Sequence, residues 1–212
     1  MSALYYCRQT TTACKGIPYP SKTHPYRYGT AGCVYTSGCG VCASLMALRN
    51  STTRVFNTRQ WTHRCLGMGA RAAEGTDMAV VARHMKEKYG LDYAITTDMD
   101  RLVAHLKQGY KAIINVSGGG KMLFSNSGHY VLAAGIDKNG NLIILDPYWY
   151  DGKFTLTAAR RKYTRVKNGR EVYVRPADLK GDVLSLWLFT PKRDVRLAYS
   201  THDIHYRKSA PT

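Results

Sequence analysis

The sequence has no apolar run long enough to cross a lipid bilayer, and none near its start that could form the core of a signal peptide. These absences predict a protein that is made and folded in a cytoplasm, and that needs something else to release it if it acts outside a membrane. Cysteine is also sparse, with six in 212 residues, which excludes a disulfide scaffold. We therefore expect reduced thiols.

Acidic residues are absent from the first 73 positions, which contain nine Lys or Arg residues. A second block, Lys153 to Arg175, has eight basic residues and one acidic residue, Glu171. The formal net charge of the whole chain is +17. Such a field attracts anionic partners over long distances, so nucleic acid, anionic lipid and an acidic cell-wall polymer are candidate partners. A solvated basic face without a partner is the alternative.

Helical patterns come first along the chain, and strand patterns follow them. Apolar spacing and end signals predict helices over Cys39–Arg49, Thr76–Tyr89 and Asp98–Gln108, with Thr76 as the cap of the second. Short apolar runs predict strands over residues 111–116, 129–136, 142–145, 172–174 and 184–189. This order predicts an α+β fold in which an N-terminal helical part packs on a mostly antiparallel sheet.

These elements fit one domain over residues 1–192, which begins with an irregular arm at residues 1–25. The last 20 positions, 193–212, have the composition of a basic polar tail. Asn139-Gly140 predicts a hairpin turn between the strands at 129–136 and 142–145.

Cys39 lies in the segment TSGCG, directly before a predicted helix. A thiol attacks well only as a thiolate, and a helix N-terminus lowers the pKa of a cysteine. The flanking residues Gly38 and Gly40 leave room for a substrate, and N–H groups at a helix start can stabilise an oxyanion. The pattern favours a nucleophile, and a small buried thiol is the alternative.

His129 differs in context from the other six histidines, which fall in helices, in a basic stretch, beside a proline or in the tail. It follows a glycine-rich loop and Gly128, and it opens the apolar strand HYVLAAGI. A histidine in this place can face a cleft and act as a base. A histidine on the surface at the end of a strand is the alternative.

Asp146 follows the apolar strand LIIL and precedes Pro147. Because the hairpin pairs this strand with the strand of His129, both residues lie near its open end. A carboxylate there can fix the tautomer of the base. Asp137 is the competing carboxylate, but it lies at the turn, where Asp is expected for local reasons.

Three segments occur in a diagnostic order: GCGVCASLMAL, GHYVLAAGID and NLIILDP. They resemble the nucleophile, histidine and aspartate segments of papain-like cysteine peptidases related to the bacteriocin leader-processing peptidases, over roughly residues 26 to 190. The resemblance implies a papain-like fold, with Cys39 as the nucleophile, His129 as the base and Asp146 as the residue that orients the base.

The chain departs from this family pattern at the oxyanion hole. Many relatives carry a glutamine about six residues before the cysteine, where this sequence has Cys33. The candidate oxyanion donors are therefore Gly40, Ser37 and Gln9. The candidate residues lining the substrate cleft are Gly38, Gly128, Tyr148 and Trp149.

Cys39 and Cys42 form a C-x-x-C pair, which raises the question of a metal or redox site. No second pair and no H-x-x-x-H segment accompanies it, and no preceding strand suggests a redox motif. The sequence therefore predicts neither a metal site nor a cofactor.

Relatives of this size without a transporter or signal peptide are often cell-wall lysins of phages or bacteria. Together with the positive charge, the resemblance implies an endolysin-like enzyme that hydrolyses amide bonds in peptidoglycan peptides, held on the anionic wall by its basic surface. Two alternatives remain open. One is a protease that processes proteins or leader peptides, and the other is a non-catalytic nucleic-acid binder that uses the basic blocks and the 16 tyrosines.

Overall fold

The computed structural model describes residues 4–192, in which most of the helices precede most of the strands. The helices are α1 (Thr12–Lys15), α2 (Val34–Ser37), α3 (Cys39–Ser51), α4 (Thr58–Gly67), α5 (Met78–Tyr89), α6 (Met99–Lys107), α7 (Ala158–Tyr163) and α8 (Pro176–Leu179), with 3-10 turns at Lys153–Thr155 and Lys180–Asp182. The strands are β1 (Arg71–Ala72), β2 (Gly75–Thr76), β3 (Leu91–Thr96), β4 (Lys111–Val116), β5 (His129–Ile136), β6 (Leu142–Leu145), β7 (Thr164–Lys167), β8 (Glu171–Val174) and β9 (Val183–Pro191). The predicted tail at 193–212 lies outside the described residues.

Seven of the strands form one sheet in the order β3-β9-β4-β5-β6-β8-β7, and every neighbouring pair is antiparallel. The predicted bounds of β4, β5 and β6 are confirmed. The hairpin between β5 and β6 turns at Gly140, whose φ of 80° is a left-handed value that favours glycine. This hairpin begins at His129 and ends at Leu145, so the two residues lie near its open end.

Alternate residues of the central strands face opposite sides of the sheet, as strand geometry requires. Ile113 and Leu132 belong to a core shared with α3, α4 and α5, whereas Ile114 and Val131 belong to a second core. The second core also contains α6 residues, such as Leu102, and side chains from later loops. The α+β arrangement is confirmed, and the helices cover both faces of the sheet.

Helix α3 is buried on all sides, because every residue from 40 to 48 is buried. Such an all-round apolar helix belongs to a core. It packs against β5 on one side and α4 on another. Its first residue, Cys39, is therefore held by a rigid element while remaining partly exposed.

The start of α5 differs from the sequence prediction. Asp77, and not Thr76, caps α5, because its carboxylate accepts hydrogen bonds from the N–H groups of Ala79 and Val80. Thr76 lies in β2. The helix ends at Tyr89, as predicted, and Gly90 follows with a φ of 64°.

Helix α4 was not predicted, although its start carries a local signal. The Asn57 side chain accepts from the Gln60 N–H, and the Gln60 side chain accepts from the Asn57 N–H, which is a capping box. Trp61 on its buried face donates from Nε1 to the Ser44 Oγ of α3 at 2.9 Å. This buried bond joins α4 to α3.

No helix within residues 4–192 combines the length and the apolar character needed to cross a membrane.

The bond between Trp61 and Ser44 predicts the effect of a core substitution. Ser44→Ala should lower the free energy of unfolding by about 1–3 kcal/mol, because the indole N–H would stay buried without a partner. Urea denaturation of Ser44→Ala, Trp61→Phe and the double variant measures this loss. The double variant should lose less than the sum of the two single losses, and strict additivity would contradict the prediction.

Candidate active site

The strand register places His129 and Asp146 on one face of the sheet. In the β5–β6 pair Leu132 lies opposite Leu145, so continuing the register puts Asp146 diagonally beside His129. His129 Nε2 lies 2.8 Å from Asp146 Oδ1, and both side chains are buried. The structure therefore brings the predicted histidine and aspartate into direct contact.

Cys39 approaches the same histidine from the opposite element, the first turn of α3. Both residues line one cleft, and the thiol lies close enough to the His129 ring and to the backbone of Tyr130 and Gly40 for these groups to lower its pKa. The other five cysteines of the chain are buried, so Cys39 is the accessible thiol.

The surroundings change the pKa values of the thiol and the ring in opposite directions. Burial raises the pKa of Cys39, but the contact with His129 and the N–H groups of Tyr130 and Gly40 outweigh burial and lower it below the ordinary value. Burial lowers the pKa of His129, but Asp146 and Cys39 outweigh that effect and raise it to about 9. These directions favour a thiolate next to an imidazolium.

Asp146 has no exposure to solvent, and each of its carboxylate oxygens has partners. Oδ1 accepts from His129 Nε2 and from the Tyr148 N–H at 2.9 Å, while Oδ2 accepts from Lys153 Nζ at 2.5 Å. Burial raises the pKa of Asp146, but the charges and hydrogen bonds of His129 and Lys153 outweigh it and lower the pKa. The carboxyl group is therefore ionised in the folded protein.

Lys153, the first residue of the second basic block, lies inside the protein. Its side chain is 2% exposed, and it donates to Asp146 and to the Tyr148 carbonyl at 2.8 Å. Arg160 is also buried, with its guanidinium donating to the carbonyls of Lys153 and Met122. Two of the eight basic residues in this block thus act inside the protein.

A cleft of about 530 Å³ opens next to Cys39 and His129. Besides these two residues, its lining includes four of the predicted oxyanion and cleft residues, namely Gln9, Ser37, Gly128 and Tyr148. The Tyr148 ring lies edge-on to the His129 ring, with 6.3 Å between centroids. At the rim, His24 Nε2 lies 3.1 Å from both Glu74 carboxylate oxygens.

Gln9 reaches this cleft from the N-terminal arm, 30 positions before Cys39. Its backbone N–H donates to the Pro147 carbonyl at 2.9 Å, and its Nε2 donates to the Tyr35 carbonyl at 3.1 Å. The side chain is 2% exposed, and its Oε1 has no hydrogen-bond partner among the described residues. The arm that the sequence pattern classed as irregular therefore forms part of the site.

The remaining candidate oxyanion and cleft residues do not line the cleft. Trp149 does not line the cleft, because its ring packs on Phe154 in the second core at 5.4 Å. Gly38 does not line it either, and a Cβ there would lie 2.4 Å from the Val34 carbonyl oxygen. Gly40 is buried in α3, so it can offer only its backbone N–H.

The sequence reasoning missed Lys153 as a site residue. It lies seven positions after Asp146, past three aromatic residues, and a lysine among other basic residues is usually exposed. Its position directly after the loop from Asp146 was the available signal.

Comparisons with known proteins give a family and two similar structures. The Peptidase_C39 like family matches residues 14–172. The peptidase domain of Streptococcus ComA, a bi-functional ABC transporter involved in a quorum sensing pathway, is 14% identical, with 73% of this chain and 91% of that chain covered and a TM-score of 0.48. The peptidase domain of Streptococcus mutans ComA is 14% identical, with 74% and 93% covered and a TM-score of 0.44. A search of curated proteins found no match.

The family match covers well over half of the 212 residues, including the segments of Cys39, His129 and Asp146. It confirms the papain-like α+β fold that the sequence resemblance implied. The chain therefore belongs to the Peptidase_C39 like family and is a cysteine peptidase, a hydrolase of peptide bonds.

Proposed function

We propose that the chain hydrolyses amide bonds in peptidoglycan peptides, with Cys39 as the nucleophile, His129 as the acid and base, and Asp146 as the orienting residue. One observation carries the triad: the buried His129 ring contacts Asp146 through Nε2 and lies in the cleft that Cys39 also lines. Since Nε2 is engaged by the carboxylate, Nδ1 is the nitrogen left to exchange a proton with sulfur.

This geometry supports the usual two steps of a thiol peptidase. The Cys39 thiolate attacks the amide carbonyl carbon, and the His129 imidazolium gives its proton to the leaving nitrogen as the C–N bond breaks. A thioester on Cys39 remains. His129, now neutral, takes a proton from water, the hydroxide attacks the thioester, and the acid leaves as the thiolate is restored.

The oxyanion formed in each step needs hydrogen-bond donors near Cys39. The Gln9 amide nitrogen has two N–H groups, of which one donates to the Tyr35 carbonyl, so the other is left for a substrate oxygen. The Gly40 N–H, which already contacts the thiol, is a second donor. Ser37 lines the cleft, and its hydroxyl is within 3.5 Å of the Thr36 hydroxyl. We therefore assign the main side-chain contribution to Gln9.

The cleft and the charge of the chain support a cell-wall substrate. Small residues and hydroxyl groups dominate the lining, as shown by Ala31, Thr36, Ser125, Ser127 and Gly128. Such a surface suits the small residues of peptidoglycan peptides better than bulky apolar side chains. The net charge of +17 favours retention on an anionic wall polymer, which would serve as a partner beside the substrate.

The first test is clearing of purified cell walls, followed by turbidity. Cys39→Ala should lower the clearing rate by about 10³-fold or more, because nothing else can form the thioester. Cys42→Ala is the matched control, since Cys42 is buried three residues further along the same helix. The Cys42→Ala variant should clear cell walls at the wild-type rate as long as it is folded.

Other results would change the assignment. Cleavage of a peptide library without wall clearing, lost in Cys39→Ala, would replace the wall substrate with protein or leader peptides. Salt-sensitive retention of nucleic acid with no cleavage at all would contradict the peptidase assignment.

The pKa directions predict a bell-shaped dependence of kcat/KM on pH. On the acid side, activity falls as the Cys39 thiolate gains a proton, below the ordinary thiol range because the pKa of Cys39 is lowered. On the alkaline side, activity falls as pH rises through about 9, because His129 loses the proton that it must donate. Iodoacetamide should abolish activity through one label on Cys39, and full activity after that labelling would contradict the mechanism.

The role of Gln9 predicts a loss of kcat rather than of substrate binding. Gln9→Ala should lower kcat by about 10²- to 10³-fold with a small change in KM, because the donor acts mainly on the developing oxyanion. Gln108→Ala, at an exposed glutamine after α6, is the control. A change in KM with none in kcat would assign Gln9 to substrate binding.

A further inference from the structure

Lys153 has a buried ammonium group and lies outside the three sequence segments that carry the triad. Its Nζ donates to Asp146 Oδ2 at 2.5 Å and to the Tyr148 carbonyl at 2.8 Å. A lysine is rarely buried unless its charge is paired, and here the pair is the carboxylate that also holds His129.

The carboxylate of Asp146 divides its oxygens between two cations. His129 contacts Oδ1 and Lys153 contacts Oδ2, so the ammonium balances the carboxylate whether or not the ring is protonated. In the proposed cycle His129 gives up its proton to the leaving nitrogen. Without Lys153, Asp146 would then be a buried anion with no cation beside it, which is costly in a low-dielectric interior.

Lys153 also shapes one wall of the cleft. Its bond to the Tyr148 carbonyl closes the loop that follows Asp146, and the Tyr148 ring lies edge-on to the His129 ring. The Tyr150 ring in turn lies edge-on to Tyr148, with 6.0 Å between centroids. The Arg160 guanidinium donates a hydrogen bond to the Lys153 carbonyl at 3.2 Å.

We propose that Lys153 is a positioning residue that keeps Asp146 ionised and oriented in both protonation states of His129, and that its positive charge favours the thiolate of Cys39. This inference rests on the proposed triad and deepens it. Lys153 acts through Asp146 and is not assigned a contact with the substrate.

The charged and titratable groups around Lys153 and Asp146 decide whether loss of Lys153 raises or lowers the pKa values of Cys39 and His129. The charges of Asp146, Arg160 and Cys39 act on Lys153, and the Tyr6 hydroxyl donates to the Asp146 carbonyl at 2.6 Å. Burial lowers the pKa of Lys153 and outweighs the opposing effect of Asp146. Removing the ammonium takes a positive charge away from the thiol and from the imidazole. Both groups then lose their protons at higher pH than in the wild type.

The test is the pH dependence of iodoacetamide labelling at Cys39, located by mass spectrometry, which needs no substrate. Lys153→Met removes the charge and the donor, Lys153→Gln removes the charge but keeps a donor, and Lys153→Arg keeps the charge. Lys138→Met, at the exposed tip of the β5–β6 hairpin, makes the same change of net charge far from the site.

We expect the labelling midpoint to rise by about one pH unit in Lys153→Met and Lys153→Gln. At a pH below the midpoint, the thiolate fraction and the labelling rate should then fall about tenfold. Lys153→Arg and Lys138→Met should keep the wild-type midpoint. Thermal unfolding of each variant checks that the compared proteins are folded.

The outcomes separate the two proposals. If wild-type and His129→Gln proteins label with the same pH dependence, the proposed triad fails whatever Lys153 does. If the wild type shows a lowered midpoint that both neutral Lys153 variants retain, the triad stands and the role of Lys153 is overturned. If both neutral variants fail to fold while Lys153→Arg folds, Lys153 serves the fold alone and the inference is also overturned.

Discussion

The fully buried carboxylate of Asp146 is the constraint on which the site depends. A buried anion is tolerated only when cations and N–H donors surround it, and here His129, Lys153 and the Tyr148 N–H meet that need. The same contacts set the orientation of the imidazole and close the loop after β6. The need to compensate this buried charge thus positions three residues: the proposed base His129, Tyr148 in the wall of the cleft, and Lys153.

The second constraint is the rigid start of α3. The helix is buried on all sides between β5 and α4, and at Gly40 a Cβ would lie 2.5 Å from the Thr76 Cβ, so the first turn has little freedom to move. Cys39 therefore meets the His129 ring at a place decided by the packing of the core. Local N–H groups and the adjacent ring then lower the pKa of its thiol.

The basic residues of the described chain fall into two groups. Lys153 and Arg160 act inside, where they hold Asp146 and the loop that follows it. Most of the remaining basic residues within positions 4–192 are exposed or partly exposed. Only exposed basic residues can attract an anionic polymer. A count of all basic residues in the sequence therefore overstates the positive charge at the surface.

Much of the framework followed from local patterns. Several elements depend on neighbours close in sequence: the end of α5 before Gly90, the hairpin at Asn139-Gly140, the apolar strands and the three family segments. Helix α4 was missed even though its capping box is just as local. The hairpin pairs the strand of His129 with the strand that leads to Asp146, so the proximity of these two residues could be predicted from the amino-acid order.

The sequence by itself determined the order of the elements, the hairpin and the identity of the residues that open α3 and β5. Only the tertiary structure decided that Gln9 fills the cleft from 30 positions upstream and that Tyr148 faces His129 while Trp149 enters the core. The burial of the Lys153 side chain beside Asp146 was likewise decided by the tertiary structure. The reason is physical: these choices depend on burial and on charge partners supplied by distant segments, and no short pattern in the chain encodes which segments will meet.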